Sequence, residues 1–235
     1  DYFSGILLLN QSKYKESLSY LKKLNGLEES HPNYSEKYLY SLINSGNFNQ
    51  AFNFAKKMDL DQKNSFETDL VIGIYYFKND KTDLAKKYLA QAKKKNSISI
   101  IEKYIANTLY IWSDVKDSNL KKVNQQINEL DNRFVNLKKI QSVFLNCYFG
   151  SSDVDLFFKQ LISDEKTDYS RYNYFYAKNL ENKNKNNRSK KIIEAALKKY
   201  PRNLLLNQYK IELEFKKKKF DFSCSDKNNI VAEFL

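Results

Sequence analysis

The residues of this chain that could do covalent or metal chemistry are few and widely separated. Its single histidine, His31, stands beside Pro32 in an expected loop. The two cysteines, Cys147 and Cys224, lie far apart and lack metal-ligand spacing. They read as reduced or structural thiols, with Cys147 a small hydrophobe on a helix face, in preference to a disulfide between them. No Gly-rich phosphate loop, Gly-x-Ser-x-Gly elbow or His-Glu-x-x-His helix occurs, so phosphoryl-transfer, nucleophilic and zinc chemistry lack their usual carriers. Glu28-Glu29, Asp59 with Asp61, and Asp164-Glu165 gather at expected helix ends, where solvated loop charge explains them better than a paired-carboxylate site. The chain therefore reads as a non-enzyme with no cofactor and no metal.

Charge is the other chemical feature. A net charge of +12 would suit nucleic acid or an anionic membrane surface. Nearly all of it is lysine, in a chain equally rich in Asn, Ile and Tyr, the joint bias of an A- and T-rich genome. The lysines pair as Lys22-Lys23, Lys56-Lys57, Lys86-Lys87, Lys121-Lys122, Lys190-Lys191 and Lys198-Lys199, positions expected on a solvated outer wall. Without a base-stacking platform, nucleic acid is a disfavoured partner, and peripheral membrane association stays an alternative.

What would position any site is a set of short helices. With 42% hydrophobic residues, five Gly and two Pro in 235 residues, the composition is that of a nearly all-helical, soluble chain. No run approaches the roughly 18 apolar residues of a spanning helix. The stretch 65–95 holds one complete pair of amphipathic helices: Leu70, Ile72, Gly73 and Tyr76 on the first, Ala85, Leu89 and Ala92 on the second, with Asn79-Asp80 between. Its landmarks recur. Subtracting 34 from Ala85 gives Ala51, and subtracting 34 again gives Ser17. Gly5, Leu39 and Gly73 keep the same step, as do Leu8, Leu42 and Tyr76; Leu21, Ala55 and Leu89; and Leu24, Met58 and Ala92. Glycine and alanine at such points let two backbones approach, so Gly5, Gly73, Ala51 and Ala85 read as helix-crossing contacts.

A two-helix unit with this period resembles the tetratricopeptide repeat. Ile72-Gly73 and Tyr76 match that family's Leu-Gly and Tyr landmarks, Ala85 and Ala92 its two alanines, Leu89 its bulky contact, and Ala196-Leu197 with Pro201 its closing pattern. The resemblance implies an all-α, right-handed superhelical solenoid of about six or seven helix pairs over residues 1–235, with degenerate middle repeats and no internal boundary. It also implies a protein–protein interaction scaffold that captures a peptide or partner helix in a concave groove lined by first helices. Mapped by phase, the groove residues are Glu36, Tyr40 and Asn44 in the second unit, and Glu67, Ile74 and Lys78 in the third. Tyr104, Thr108 and Trp112 follow in the fourth, and Arg171, Tyr174 and Lys178 in the sixth. The competing class is a lysine-rich electrostatic scaffold for RNA or an anionic membrane surface.

Along the chain, helices are expected over 2–9, 14–24, 34–44 and 48–58, with an Asn47–Gln50 capping box opening the last. The register softens in the fourth unit (98–112 and 119–130), where Asn107 and Asn119 replace small residues. It continues through 134–149, 154–162, 172–180, 190–200 and 204–215. The run Lys216 to Cys224 has no helical period, and Ile230, Val231, Phe234 and Leu235 form an apolar set that needs cover. In an intact protein it is expected to continue into a longer capping helix or to dock on a partner, and in this chain to fold back on the 204–215 helix or pair with a second copy. The helical start at Asp1 and the ending in mid-pattern are expected of a piece of a long bacterial repeat protein, in the cytoplasm or periplasm.

Overall fold

The structure, a computed structural model, describes residues 1–24, 26–96, 98–215 and 222–232. These form fourteen α-helices, a few short 3-10 turns and no strand. The sequence division into helices holds closely, with ends shifted by at most four residues. The described residues fall into two compact units, Asp1–Ser113 and Asp114–Leu235, where the sequence placed no boundary. The division lies inside the fourth repeat, at the point where Asn107 and Asn119 break the register.

The first unit comprises α1 (Tyr2–Asn10), α2 (Tyr14–Leu21), α3 (Pro32–Asn44), α4 (Phe48–Leu60), α5 (Phe66–Lys78), α6 (Thr82–Lys93) and α7 (Ile100–Ser113). Each packs mainly on its neighbours in sequence. At the α5–α6 crossing, a Cβ built on Gly73 would lie 2.8 Å from Leu89 Cδ2; at α1–α2, one on Gly5 would lie 2.7 Å from Leu21 Cδ2. Such closeness leaves room for hydrogen alone. Between them, α3 and α4 exchange the two sizes, with Leu39 in the glycine position and Ala55 in the leucine position, both buried in one core cluster. The sum of side-chain volumes is thus held while its partition changes. Ser17, Ala51 and Ala85 are all buried, and Ser17 Oγ donates to the Gly5 carbonyl at 2.8 Å.

The turns repeat as strictly as the crossings. Ser12, Gly46 and Asp80, each 34 positions from the next, all take positive φ, at 58°, 78° and 55°. In each, the following amide donates to the carbonyl five residues back: Lys13 to Leu8, Asn47 to Leu42, Lys81 to Tyr76, each at 2.9 Å. This is the left-handed helix stop that satisfies orphan carbonyls, and only one of the three is glycine. The capping box expected at Asn47 is absent: its side chain makes no cap bond, because the residue is already committed to the turn. A capping box does form at Ser65 and Thr68, where Ser65 has the extended backbone a cap needs.

The second unit comprises α8 (Leu120–Asn128), α9 (Val135–Tyr148), α10 (Val154–Ser163), α11 (Tyr172–Asn182), α12 (Asn186–Lys199), α13 (Leu204–Phe215) and α14 (Lys227–Ala232). The same turn recurs at Gly150 and Asn184, again 34 apart, with Ser151 donating to Asn146 and Lys185 to Leu180. Its core is aromatic, with Phe144, Phe158, Phe175, Tyr176 and Phe222 all buried. Lys138 is buried as well. Its ammonium donates to the carbonyls of Asn128 and Leu130 and to Asn132 Oδ1 at 2.6, 2.8 and 2.9 Å, neutralising the carbonyl end of α8.

The cysteine expectation is overturned here. Cys147 on α9 and Cys224 are joined in a disulfide, their Cα atoms 5.4 Å apart, inside the usual span for such a bridge. Sequence distance gave no sign of it, because the two cysteines stand 77 positions apart with no periodic spacing between them. Ile230 and Val231 are buried; Phe234 and Leu235, with which they were grouped, lie outside the described residues, as does Lys216 to Lys219.

Candidate functional site

On α3, Glu36, Tyr40 and Asn44 are spaced by four and share one exposed face. Tyr40 is 49% exposed, with its ring edge-on to Tyr14 of α2 at 6.0 Å. Asn44 Nδ2 donates to the Tyr40 carbonyl, and Glu36 pairs with Lys37. On α5, Lys78 is exposed while Glu67 and Ile74 are half-buried. These six side chains give a mixed aromatic, amide and charged surface, with apolar area beside groups that can bond a peptide backbone.

The other six assigned residues stand differently. Tyr104, Thr108 and Trp112 of α7 are buried, Trp112 completely. A helix as apolar as α7 turns this face inward, so the three pack within the fold and present no open surface. Just before α11, Arg171 is exposed, its guanidinium 5.7 Å from the Phe175 ring centre. Tyr174 and Lys178 are buried. The Lys178 ammonium sits 4.6 Å above the Tyr209 ring and 3.2 Å from Glu181 Oε2, which also accepts from Tyr209 Oη at 2.9 Å. Burial chiefly pushes the Tyr209 phenol well above its ordinary range, so it stays a hydrogen-bond donor.

One arrangement escaped the sequence because its lysine looked like outer-wall charge. Lys56 donates to Asp59 and to Tyr88 Oη of α6; Tyr88 donates to Asp59 Oδ2 at 2.6 Å. Asn64 then links Asp59 at 2.7 Å to Asp69 at 3.0 Å, and Lys95 lies 3.2 Å from the buried Asp69 carboxylate. Burial works against the charged Asp59, but bonds from Lys56, Tyr88 and Asn64 outweigh it and hold the carboxyl down to about 2. Lys57 likewise pairs with the buried Glu28 at 2.7 Å. These lysines tie helices together across loops and repeats.

A second arrangement lies on α9 and α11. Phe222 packs between Phe144 and Phe175, with ring centres at 5.9 and 4.8 Å. Its carbonyl accepts from Asn182 Nδ2 at 2.9 Å, and Asn179 Oδ1 lies 3.4 Å from Cys147 Sγ. The signal was present as the aromatic run at 220–224, but with no period to fix its partners. A cleft of about 530 Å³ lies between α9 and α10, with the Lys139–Asp164 pair in its lining.

Among the described residues no three His, Cys, Asp or Glu gather as a metal site, and no helix is long and apolar enough to cross a membrane. Compared with known proteins, the chain matches no family model, no curated sequence and no solved structure.

Proposed function

We propose that the chain is a helical-repeat scaffold, a right-handed superhelix of the tetratricopeptide kind, that captures a peptide or partner helix on the exposed faces of its first helices. The observation that carries this reading is the first unit's recurrence: small–large crossings and left-handed turns return every 34 residues, leaving Glu36, Tyr40, Asn44, Ile74 and Lys78 at least partly exposed. An aromatic ring beside amide and charged groups suits a semi-polar peptide. The electrostatic alternative draws less support, because Lys56, Lys57, Lys122, Lys190 and Lys199 lie within ion-pair distance of acidic groups of the chain. The Cys147–Cys224 bridge favours an oxidising compartment, such as a bacterial periplasm, over the cytoplasm.

The experiment is capture from the source cell with the full chain, wild type against Tyr40→Ala/Ile74→Ala/Lys78→Ala. Loss of specific partners with unchanged helicity is expected; equal recovery by both proteins would sink the reading. Salt separates the alternative, since lysine–phosphate attraction falls steeply as counterions compete.

A further inference from the structure

Two positions before the left-handed turn residue, the first helices carry Asn10, Asn44, Lys78, Tyr148 and Asn182. Asn44 and Lys78 are among the capture residues proposed above. Asn182, in the same register, already holds something: its side-chain amide donates to the main-chain carbonyl of Phe222, forty positions further along the chain. A side-chain amide bonding the backbone of an irregular segment is how a groove holds a peptide without reading its side chains.

The rest of the contact has the same character. Phe222 and Ser223 lie outside any helix, in the one stretch that lacks the helical period. The Phe222 ring enters an aromatic slot made by Phe144 of α9 and Phe175 of α11 and is 4% exposed. Phe175, Asn179 and Asn182 are spaced by four and three, so one face of α11 supplies ring, amide and amide in turn. Two residues after the ring, Cys224 closes onto Cys147 of α9. Ring, backbone bond and covalent tie thus all fall on first helices of the second unit.

We propose that this α9–α11 face is a binding site for a non-helical peptide carrying an aromatic side chain, and that the chain's own 222–224 segment occupies it in cis, fastened by Cys147–Cys224. This rests on the scaffold reading and deepens it: the second unit carries its own occupant, and a competing ligand must displace the Phe222 ring and the Asn182 bond. The tie favours the occupied state by keeping the segment at high effective concentration.

The test uses the full chain. In Cys224→Ser, amides of 222–226 should exchange faster by at least tenfold more than those of α9 and α11, since an occupant leaves without its site unfolding. Equal acceleration of segment and helices would overturn the proposal by making the segment an inseparable part of the core. In Phe222→Ala/Cys224→Ser, a fluorescein-labelled synthetic peptide of the 221–228 sequence, with serine for Cys224, should bind at least tenfold more tightly than to the wild type. The same peptide with alanine for Phe222 should lose that gain. Failure of the first peptide to bind, with helicity retained, would also overturn the proposal. Neither outcome touches the Tyr40, Ile74 and Lys78 experiment, which reads the first unit.

Discussion

The two units reach stability by different means. In the first, each crossing is settled by a local rule of complementary size: Gly5 with Leu21, Leu39 with Ala55, Gly73 with Leu89, always sixteen positions apart. In the second, Ala177 and Ile193 keep that spacing, but the distinctive work falls to distant partners: Phe222 in the slot of Phe144 and Phe175, Lys138 on the carbonyl end of α8, and the Cys147–Cys224 bridge. A repeat that satisfies itself needs no staple. One whose register has lapsed is fixed by contacts that close long stretches of chain.

The sharpest way to break this comparison is to open the bridge. It closes 77 residues, for which the chain-entropy account sets a ceiling of about 4–5 kcal/mol. Cys147→Ser should therefore lower the stability of α9–α12 by up to that amount and leave α3–α6 unmoved, as read by hydrogen exchange in rising denaturant. Equal losses in both units would mean that the division into two units has no energetic content.

The size rule of the first unit predicts the next effect. Gly73→Leu should cost about 1–3 kcal/mol by overpacking, because even a Cβ there stands 2.8 Å from Leu89. Adding Leu89→Ala rebuilds the pair that α3 and α4 already use as Leu39 and Ala55, so the double variant should recover much of the loss. Thermal midpoints of the two singles and the double give the coupling directly. Additive losses would show that size complementarity is not the rule.

This difference also explains what the sequence made legible. The helices and their crossings could be read, since glycine, alanine and leucine at a fixed step carry their own partner with them. The exposed α3 face was legible for the same reason: Tyr40 is displaced by one residue from the buried Leu39 column. The burial of the α7 residues was not legible, because phase says which side a residue faces, whereas burial depends on what packs there, and Trp112 is fully covered. The Phe222 site and the disulfide were not legible. Their partners lie far away along the chain, and no spacing encodes that.

The smallest predicted effects concern lysines that look alike in sequence. Lys56 and Lys198 both belong to outer-wall pairs, and sequence alone expects Lys56→Gln to be nearly silent. In the structure Lys56 donates to Asp59 and Tyr88, whereas Lys198 is exposed on α12. Lys56→Gln should therefore cost about 1 kcal/mol, as loss of a charged bond from a partly buried carboxylate does, against a change within about 0.5 kcal/mol for Lys198→Gln. Acid provides the matching check. The Asp59 carboxyl is held at about 2 in the fold against an ordinary 3.8, so its stabilisation is complete above the unfolded value and is lost as pH falls from about 4 through 2. Its side chain is 20% exposed, and screening by solvent reduces the contribution to about 1–2 kcal/mol. Asp59→Asn should accordingly flatten the acid limb of the first unit's stability and leave that of the second unchanged. A limb that keeps its slope in Asp59→Asn would remove this network from the account of how α4, α5 and α6 are joined.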